Sequence, residues 1–265
     1  MKIKLPYVPE RTEKPRSTGV TMVMDKGLSL GQAKDMIEAS GHLIDYVKLG
    51  FGTSYITPNL REKIELYRNN NITPYLGGTF FEAFVVRGMF EEYKSLLKDL
   101  DIRMAEVSDG SIKLQTTQKC KYISNLAKDF EVWSEVGSKE AGILISPNKW
   151  VNMMTTELEA GAGKVIAEAR ESGTVGIYRP NGTAHSVLIN KIIAKVNKDS
   201  ILWEAPIKSQ QVYFIKLFGC DVNLGNIAPE EVIPLETLRL GLRGDTFFEY
   251  LPKDLKEKFV QQNDV

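Results

Sequence analysis

The chain has 265 residues, 43% hydrophobic and 26% charged, with 34 Lys+Arg against 34 Asp+Glu and a formal net charge of zero. These are ordinary values for a globular protein, and the balanced charge leaves no electrostatic footprint for nucleic acid or an acidic membrane. No apolar run approaches a membrane span, Met1-Lys2-Ile3-Lys4-Leu5-Pro6 is no signal peptide, and Cys120 and Cys220 form no metal or disulfide spacing, so a cytoplasmic protein with reduced, buried thiols is expected.

Residues 1–18, with Lys14-Pro15-Arg16-Ser17-Thr18-Gly19 at their end, are expected to cover the floor of the fold. Strand-like runs then alternate with stretches of helical period. The run at 20–24 (VTMVM) leads to a helical stretch at 29–40, 45–49 (DYVKL) to 58–70, 72–77 (ITPYLG) to 81–99, and 102–107 (IRMAEV) to 117–128. In the second half 131–136 (EVWSEV) leads to 149–160, 164–169 (KVIAEA) to 185–197, 201–205 (ILWEA) to 208–218, and 221–225 (DVNLG) to 229–242. The sixth strand is placed at 164–169 rather than 174–178, because Gly161-Ala162-Gly163 ends the preceding helix. Residues 244–265 form a C-terminal tail, and no composition break divides 1–265, so a single domain is expected. Eight βα units predict an α/β fold, a closed (β/α)8 TIM barrel whose catalytic groups lie on the loops after the strands. A doubly wound open sheet is the alternative, disfavoured by the count of eight and the lack of a Gly-rich dinucleotide turn.

Glutamate closes four of the apolar runs: Glu106, Glu135, Glu168 and Glu204. On neighbouring parallel strands these carboxylates converge at one mouth. Two of them about 4 Å apart repel by roughly 4 kcal/mol at an effective dielectric near 20, so the ring requires a metal ion, basic side chains or shared protons. Strand parity supports the convergence. It turns Met104, Glu106, Ile166, Glu168, Arg170, Leu202, Glu204, Lys48, Asn223 and Gly225 inward, and Ala105, Val107, Val165, Ala167, Ile201, Trp203, Val47, Leu49, Val222 and Leu224 outward. Inward Glu135 requires inward Trp133, and Asp25 shares the phase of Thr21 and Val23.

The residues that carry chemistry each have a plainer explanation. Lys48, inside a strand beside the glutamates, is a structural counter-ion or a catalytic acid. Lys139 is a solvated loop lysine or a catalytic one. Arg170 pairs internally or clamps an anionic substrate bidentately. Gly77, Gly225 and Asn226 are turn residues or let substrate approach the backbone. Asp25 opens a common turn or binds substrate. His42 and His185 lack ligand spacing for zinc, whereas an all-oxygen carboxylate set suits Mg²⁺.

Several segments together resemble the phosphosulfolactate synthase family from about Arg11 to Phe248. They include Lys14-Pro15-Arg16, Val47-Lys48-Leu49-Gly50-Phe51-Gly52-Thr53, Gly77-Gly78-Thr79-Phe80-Phe81-Glu82, Glu106-Val107-Ser108-Asp109-Gly110 and Ser134-Glu135-Val136-Gly137-Ser138-Lys139. The series continues with Glu168-Ala169-Arg170-Glu171-Ser172-Gly173, Trp203-Glu204-Ala205-Pro206, Asn223-Leu224-Gly225-Asn226 and Leu235–Arg243. The resemblance implies Mg²⁺-dependent addition of sulfite to phosphoenolpyruvate, giving (2R)-phospho-3-sulfolactate through an enediolate, a reaction that opens a coenzyme M pathway in archaea. It places the catalytic lysine on Lys139 and suggests a small homo-oligomer, a trimer. Two competing readings are another barrel lyase acting on a phosphorylated enolate and a non-catalytic, stress-associated barrel protein.

Overall fold

The computed structural model describes residues 3–137 and 145–260. In chain order the elements are β1 (Thr21–Asp25), α1 (Leu30–Ser40), β2 (Tyr46–Leu49), α2 (Leu60–Asn69), β3 (Thr73–Leu76), α3 (Gly78–Val85), α4 (Phe90–Asp99) and β4 (Met104–Val107). There follow α5 (Thr116–Leu126), β5 (Glu131–Val136), α6 (Pro147–Glu159), β6 (Lys164–Ala167), α7 (Ser186–Ile193), β7 (Ile201–Glu204), α8 (Lys208–Phe218), β8 (Leu224–Ile227), α9 (Val232–Arg239) and α10 (Lys253–Val260). The strands pair in parallel in the order β3-β2-β1-β8-β7-β6-β5-β4, and β3 and β4 lie side by side where the sheet curls round on itself. This is the expected TIM barrel. Among the described residues no helix is long and apolar enough to cross a membrane.

The period-2 pattern of the strands divides the core into two clusters. Val20, Met22, Tyr75, Met104, Trp133, Ile166 and Leu202 fill the barrel interior. Outward-facing Val47, Leu49, Ala105, Val107, Val165, Ala167, Ile201, Trp203 and Leu224 pack against the helices. Parity read from the sequence holds at each of these outward positions and at inward Met104, Trp133, Ile166 and Leu202, whereas in β1 the phase is the opposite of that expected, with Met22 inside and Val23 on the helix side.

Local signals explain the helix starts. Ser29 and Gln32 form a reciprocal capping box before α1, and Ser146 with Pro147 opens α6. Two boundaries differ from expectation. The single stretch at 81–99 is two helices, because Gly88 turns the chain with φ +70. The eighth strand runs over 224–227 rather than 221–225. Asp221 is drawn to Arg11 and Thr12, while Asn223 accepts Val20 N–H at 3.2 Å and donates to Asp199 and Ile201 carbonyls, each at 3.1 Å. Those residues therefore close the floor. Lys14 donates to the Gly41 and Ile44 carbonyls, and Arg16 reaches Asp45 at 3.1 Å, at the same end.

Candidate active site

Because all eight strands are parallel, their C-terminal ends meet at one rim, and the side chains facing inward there enclose a cavity of about 340 Å³. Lys48, Gly77, Glu135, Glu168, Arg170, Glu204 and Asn226 line it, with Met24, Phe51, Thr79, Ser111 and Glu171 completing the wall. Below it lies the apolar plug of Met104, Trp133, Ile166 and Leu202. The change from hydrocarbon to charge occurs within one inward step along a strand: Met104 to Glu106, Trp133 to Glu135, Leu202 to Glu204.

Lys48 is the hub of the charged layer. Its Nζ lies 2.9 Å from Glu106, 3.3 Å from Glu135 and 3.6 Å from Glu204, all four side chains being buried. Burial by itself depresses a lysine, but the three carboxylates outweigh it and hold the ammonium well above its ordinary range. Lys48 is therefore a fixed cation. Burial, with Glu135 nearby, pushes the Glu204 carboxyl up to about 7 although Lys48 pulls the other way. Backbone donors define the carboxylate positions: Ala169 N–H reaches Glu204 at 2.9 Å, Arg170 N–H reaches Glu168 at 2.7 Å, and Gly78 N–H reaches Glu106 at 2.6 Å.

Three of the four glutamates converge. One carboxylate oxygen each from Glu135, Glu168 and Glu204 lies within 4.8 Å of the others, and all three residues are buried. Oxygens around an octahedral Mg²⁺ with bonds of about 2.1 Å are separated by roughly 3 to 4.2 Å, so a small contraction would seat that ion. The donor chemistry fits as well: the ligands are hard oxygens, with the Lys48 ammonium among Glu106, Glu135 and Glu204 and with Arg170 at the rim. Glu106 stands outside this set, with one oxygen shared between Lys48 and Gly78 N–H.

The other predicted positions separate in the same way. Arg170, Gly77 and Asn226 reach the cavity. Arg170 and Asn226 hold the left-handed conformation, with φ +51 and +56, which costs a non-glycine residue energy and is common at binding loops. The Asn226 side-chain oxygen is buried and has no hydrogen-bond partner among the described residues, so it offers a ready polar contact to a ligand. Asp25 does not reach the cavity. It faces the helices, where Lys63 Nζ at 2.8 Å, Tyr67 hydroxyl at 2.9 Å and the N–H groups of Gly27 and Leu28 saturate it. Gly225 is a packing position: a Cβ there would lie 2.8 Å from both Leu202 and Met22 in the barrel interior. Lys139 lies outside the described residues.

Several supporting residues escaped the sequence reading. Lys119 on α5 and Glu157 on α6 are buried and paired at 3.0 Å. Both occupy apolar helix faces, with Ile123 and Leu126 beside one and Trp150 and Met154 beside the other. A charge at a core-facing position of a helical repeat was the available signal. Glu82 of α3 accepts the N–H groups of Gly110 at 3.1 Å and Ser111 at 2.7 Å, besides the Ser108 hydroxyl, and so folds the loop after β4 over the rim.

Residues 9–245 match the family model of (2R)-phospho-3-sulfolactate synthase (ComA). A phosphosulfolactate synthase of Methanothermobacter thermautotrophicus is 43% identical over 244 residues, covering 90% of this chain and 95% of the relative. One from Bacillus subtilis is 41% identical over 244 residues, covering 91% and 97%. Among solved structures, 3-hexulose-6-phosphate synthase from Salmonella typhimurium superposes with a TM-score of 0.56 at 14% identity, covering 84% of this chain and all of that one. That likeness concerns the fold.

Proposed function

The chain belongs to the (2R)-phospho-3-sulfolactate synthase family, and we propose that it catalyses Mg²⁺-dependent addition of sulfite to phosphoenolpyruvate. The observation that carries this proposal is the cluster of Glu135, Glu168 and Glu204 beside the fixed Lys48 cation at the barrel mouth. In the reaction the sulfite sulfur forms a bond to C3, and the C2–C3 π pair moves toward the carboxylate to give an enediolate. A proton then adds at C2. No oxidant or reductant enters, and the phosphate ester is retained.

Glu135, Glu168 and Glu204 would hold Mg²⁺, which when bound supplies Lewis-acid stabilisation of the charge developing on the substrate carboxylate. Lys48, kept protonated by its carboxylates, adds a fixed positive charge in a site shielded from water, where such charge acts most strongly. Protonation at C2 is assigned to Lys139, as the family resemblance implies, with Lys48 the alternative donor. Arg170 suits a phosphate or sulfite group, since a guanidinium offers two parallel donors, and the Asn226 amide faces the same cavity.

Product identification after incubation with sulfite, phosphoenolpyruvate and Mg²⁺ tests the proposal, with (2R)-phospho-3-sulfolactate expected. Consumption of phosphoenolpyruvate without sulfite would point to a different phospho-enolate lyase. Calorimetry showing uptake of neither Mg²⁺ nor phosphoenolpyruvate would favour a non-catalytic barrel. Lys139→Ala is expected to lower turnover at least about a hundredfold, the low end for lost acid–base catalysis; near wild-type turnover would remove it from the mechanism.

A further inference from the structure

The three clustered glutamates are held at their backbones as well as at their carboxylates. The Glu135 carbonyl accepts Lys119 Nζ at 2.6 Å, the Glu168 carbonyl accepts Ile177 N–H at 3.1 Å, and the Glu204 carbonyl accepts the Tyr178 hydroxyl at 2.6 Å. Two of these donors are consecutive residues in the loop after β6. The same loop supplies Ala169 N–H to the Glu204 carboxylate and Arg170 N–H to that of Glu168. One stretch of chain thus grips two glutamates, one just past the end of β6 and one at the end of β7, at both ends of each residue.

Its approach depends on Gly176. A Cβ at this position would lie 1.8 Å from the Glu168 carbonyl oxygen, and the residue adopts φ +66. Only glycine lets the backbone pass close enough for the next amide to bond that oxygen. Tyr178 follows, buried, with its ring 6.4 Å from that of Phe214, which stacks on Trp203 of β7 at 4.8 Å. A phenol carries its proton at neutral pH, so the hydroxyl is the donor in this bond. Nothing in the proposed chemistry uses this phenol, which points at a carbonyl on the helix side of the barrel.

We propose that Gly176-Ile177-Tyr178 is a positioning element for the cation site, in which the Tyr178 hydroxyl holds Glu204 in register with Glu168. The inference rests on the metal-binding proposal above. A carbonyl fixed at the strand end fixes the Cα–Cβ direction, and with it the arc over which the carboxylate can sweep. Outer contacts of this kind typically set metal affinity by factors of about 10 to 100.

Titration of Mg²⁺ alone into the wild-type protein and into Tyr178→Phe, by calorimetry and by the Mg²⁺-induced shift in Tm, tests the idea. Tyr178→Phe is expected to bind Mg²⁺ about tenfold more weakly, with kcat at saturating Mg²⁺ within about twofold of wild type. Phe214→Leu loosens the packing beside the ring while leaving the hydroxyl. It is expected to lower Tm at least as much and to keep wild-type Mg²⁺ affinity. Wild-type affinity in Tyr178→Phe, or equal weakening in both variants, overturns the positioning role while leaving the metal site standing. A wild-type protein that takes up no Mg²⁺ overturns both.

Discussion

Replacing Lys119 by methionine isolates a buried charge knot that touches the proposed site only through its backbone. Lys119 Nζ lies 3.0 Å from Glu157, 2.9 Å from Asp109 and 2.6 Å from the Glu135 carbonyl. Each ion pair is worth roughly 5 to 6 kcal/mol at an effective dielectric near 20, before the cost of desolvation. What remains after truncating one partner of a buried pair is about 3 to 5 kcal/mol, because the other charge is stranded. Lys119→Met is therefore expected to lose about 3 to 5 kcal/mol near pH 8. Lys119→Met/Glu157→Met, which removes both charges, should lose only about 1 to 3 kcal/mol, the cost of an unbonded Glu135 carbonyl and of the Ser134 hydroxyl's lost 2.6 Å bond to Glu157.

The pH dependence supplies a second check. Burial holds the Glu157 carboxyl above its ordinary value even with Lys119 opposing it, so deleting the lysine raises it further. The folded variant then keeps a proton that the unfolded chain releases, and its stability falls as pH rises above the ordinary carboxylate range. Its deficit against wild type should accordingly be smaller near pH 5 than near pH 8. At the alkaline end it is the wild type that loses stability: burial alone would lower Lys119, but Glu157 and Asp109 outweigh it and raise the ammonium above 10.5. The stability it adds is complete below that value and is lost as pH climbs through the folded-state pKa. Urea unfolding followed by the fluorescence of buried Trp133, Trp150 and Trp203 measures all of this. A deficit that is equal at both pH values, or a double variant no better than the single, would refute the charge-stranding argument.

Three further outcomes are expected. Gly88→Ala and Gly176→Ala both impose left-handed strain, φ +70 and +66, but only the second drives a Cβ into a carbonyl; the first should cost about 1 kcal/mol and the second more than about 3, read by thermal unfolding. Asp25→Asn strands the buried Lys63 ammonium and should cost about 3 to 5 kcal/mol while KM for phosphoenolpyruvate stays within about twofold; a stable variant with an altered KM would return Asp25 to the substrate. Glu168→Gln should weaken Mg²⁺ binding about tenfold or more, whereas Glu106→Gln, outside the three-oxygen cluster, should do so far less in the same calorimetric titration.

What could be seen in the sequence follows from where its patterns have contrast. In β4, β6 and β7 the interior residues near the rim are charged and their neighbours apolar, so parity placed Glu106, Glu168 and Glu204 correctly. In β1 every residue from Val20 to Met24 except Thr21 is apolar. Nothing there distinguishes the two faces, so the substrate reading of Asp25 stays open in the sequence although Val23, in the same phase, packs against the helices. Gly225 is ambiguous for a related reason. A glycine that admits a ligand and one that admits Leu202 and Met22 look alike until the neighbours are known. Lys63, Lys119 and Glu157 show in the sequence only as charges on core-facing helix positions; the partners they pair with are set by tertiary packing and leave no local trace.

The placement of these hidden charges bears on why they persist. A buried ion pair can often be exchanged for well-packed hydrocarbon at no loss of stability, so stability alone does not account for them. The floor of the barrel is closed differently: Arg239 is fully buried there, yet it donates mainly to neutral carbonyls, those of Val222 at 2.7 Å, Cys220 at 2.5 Å and Val20 at 3.3 Å. At the rim Lys63 holds Asp25 and the Leu28 carbonyl, Lys119 holds Asp109 and the Glu135 carbonyl, and Glu82 holds the loop at 108–111. Each of these bonds fixes a backbone segment where a strand ends and a loop begins. Hydrocarbon could fill the same volumes, but it has no directional bond with which to hold a carbonyl or an amide in place. The rim thus carries costs that the fold does not require, and they fall on the segments that aim Glu135 and shape the loops around the proposed cation site.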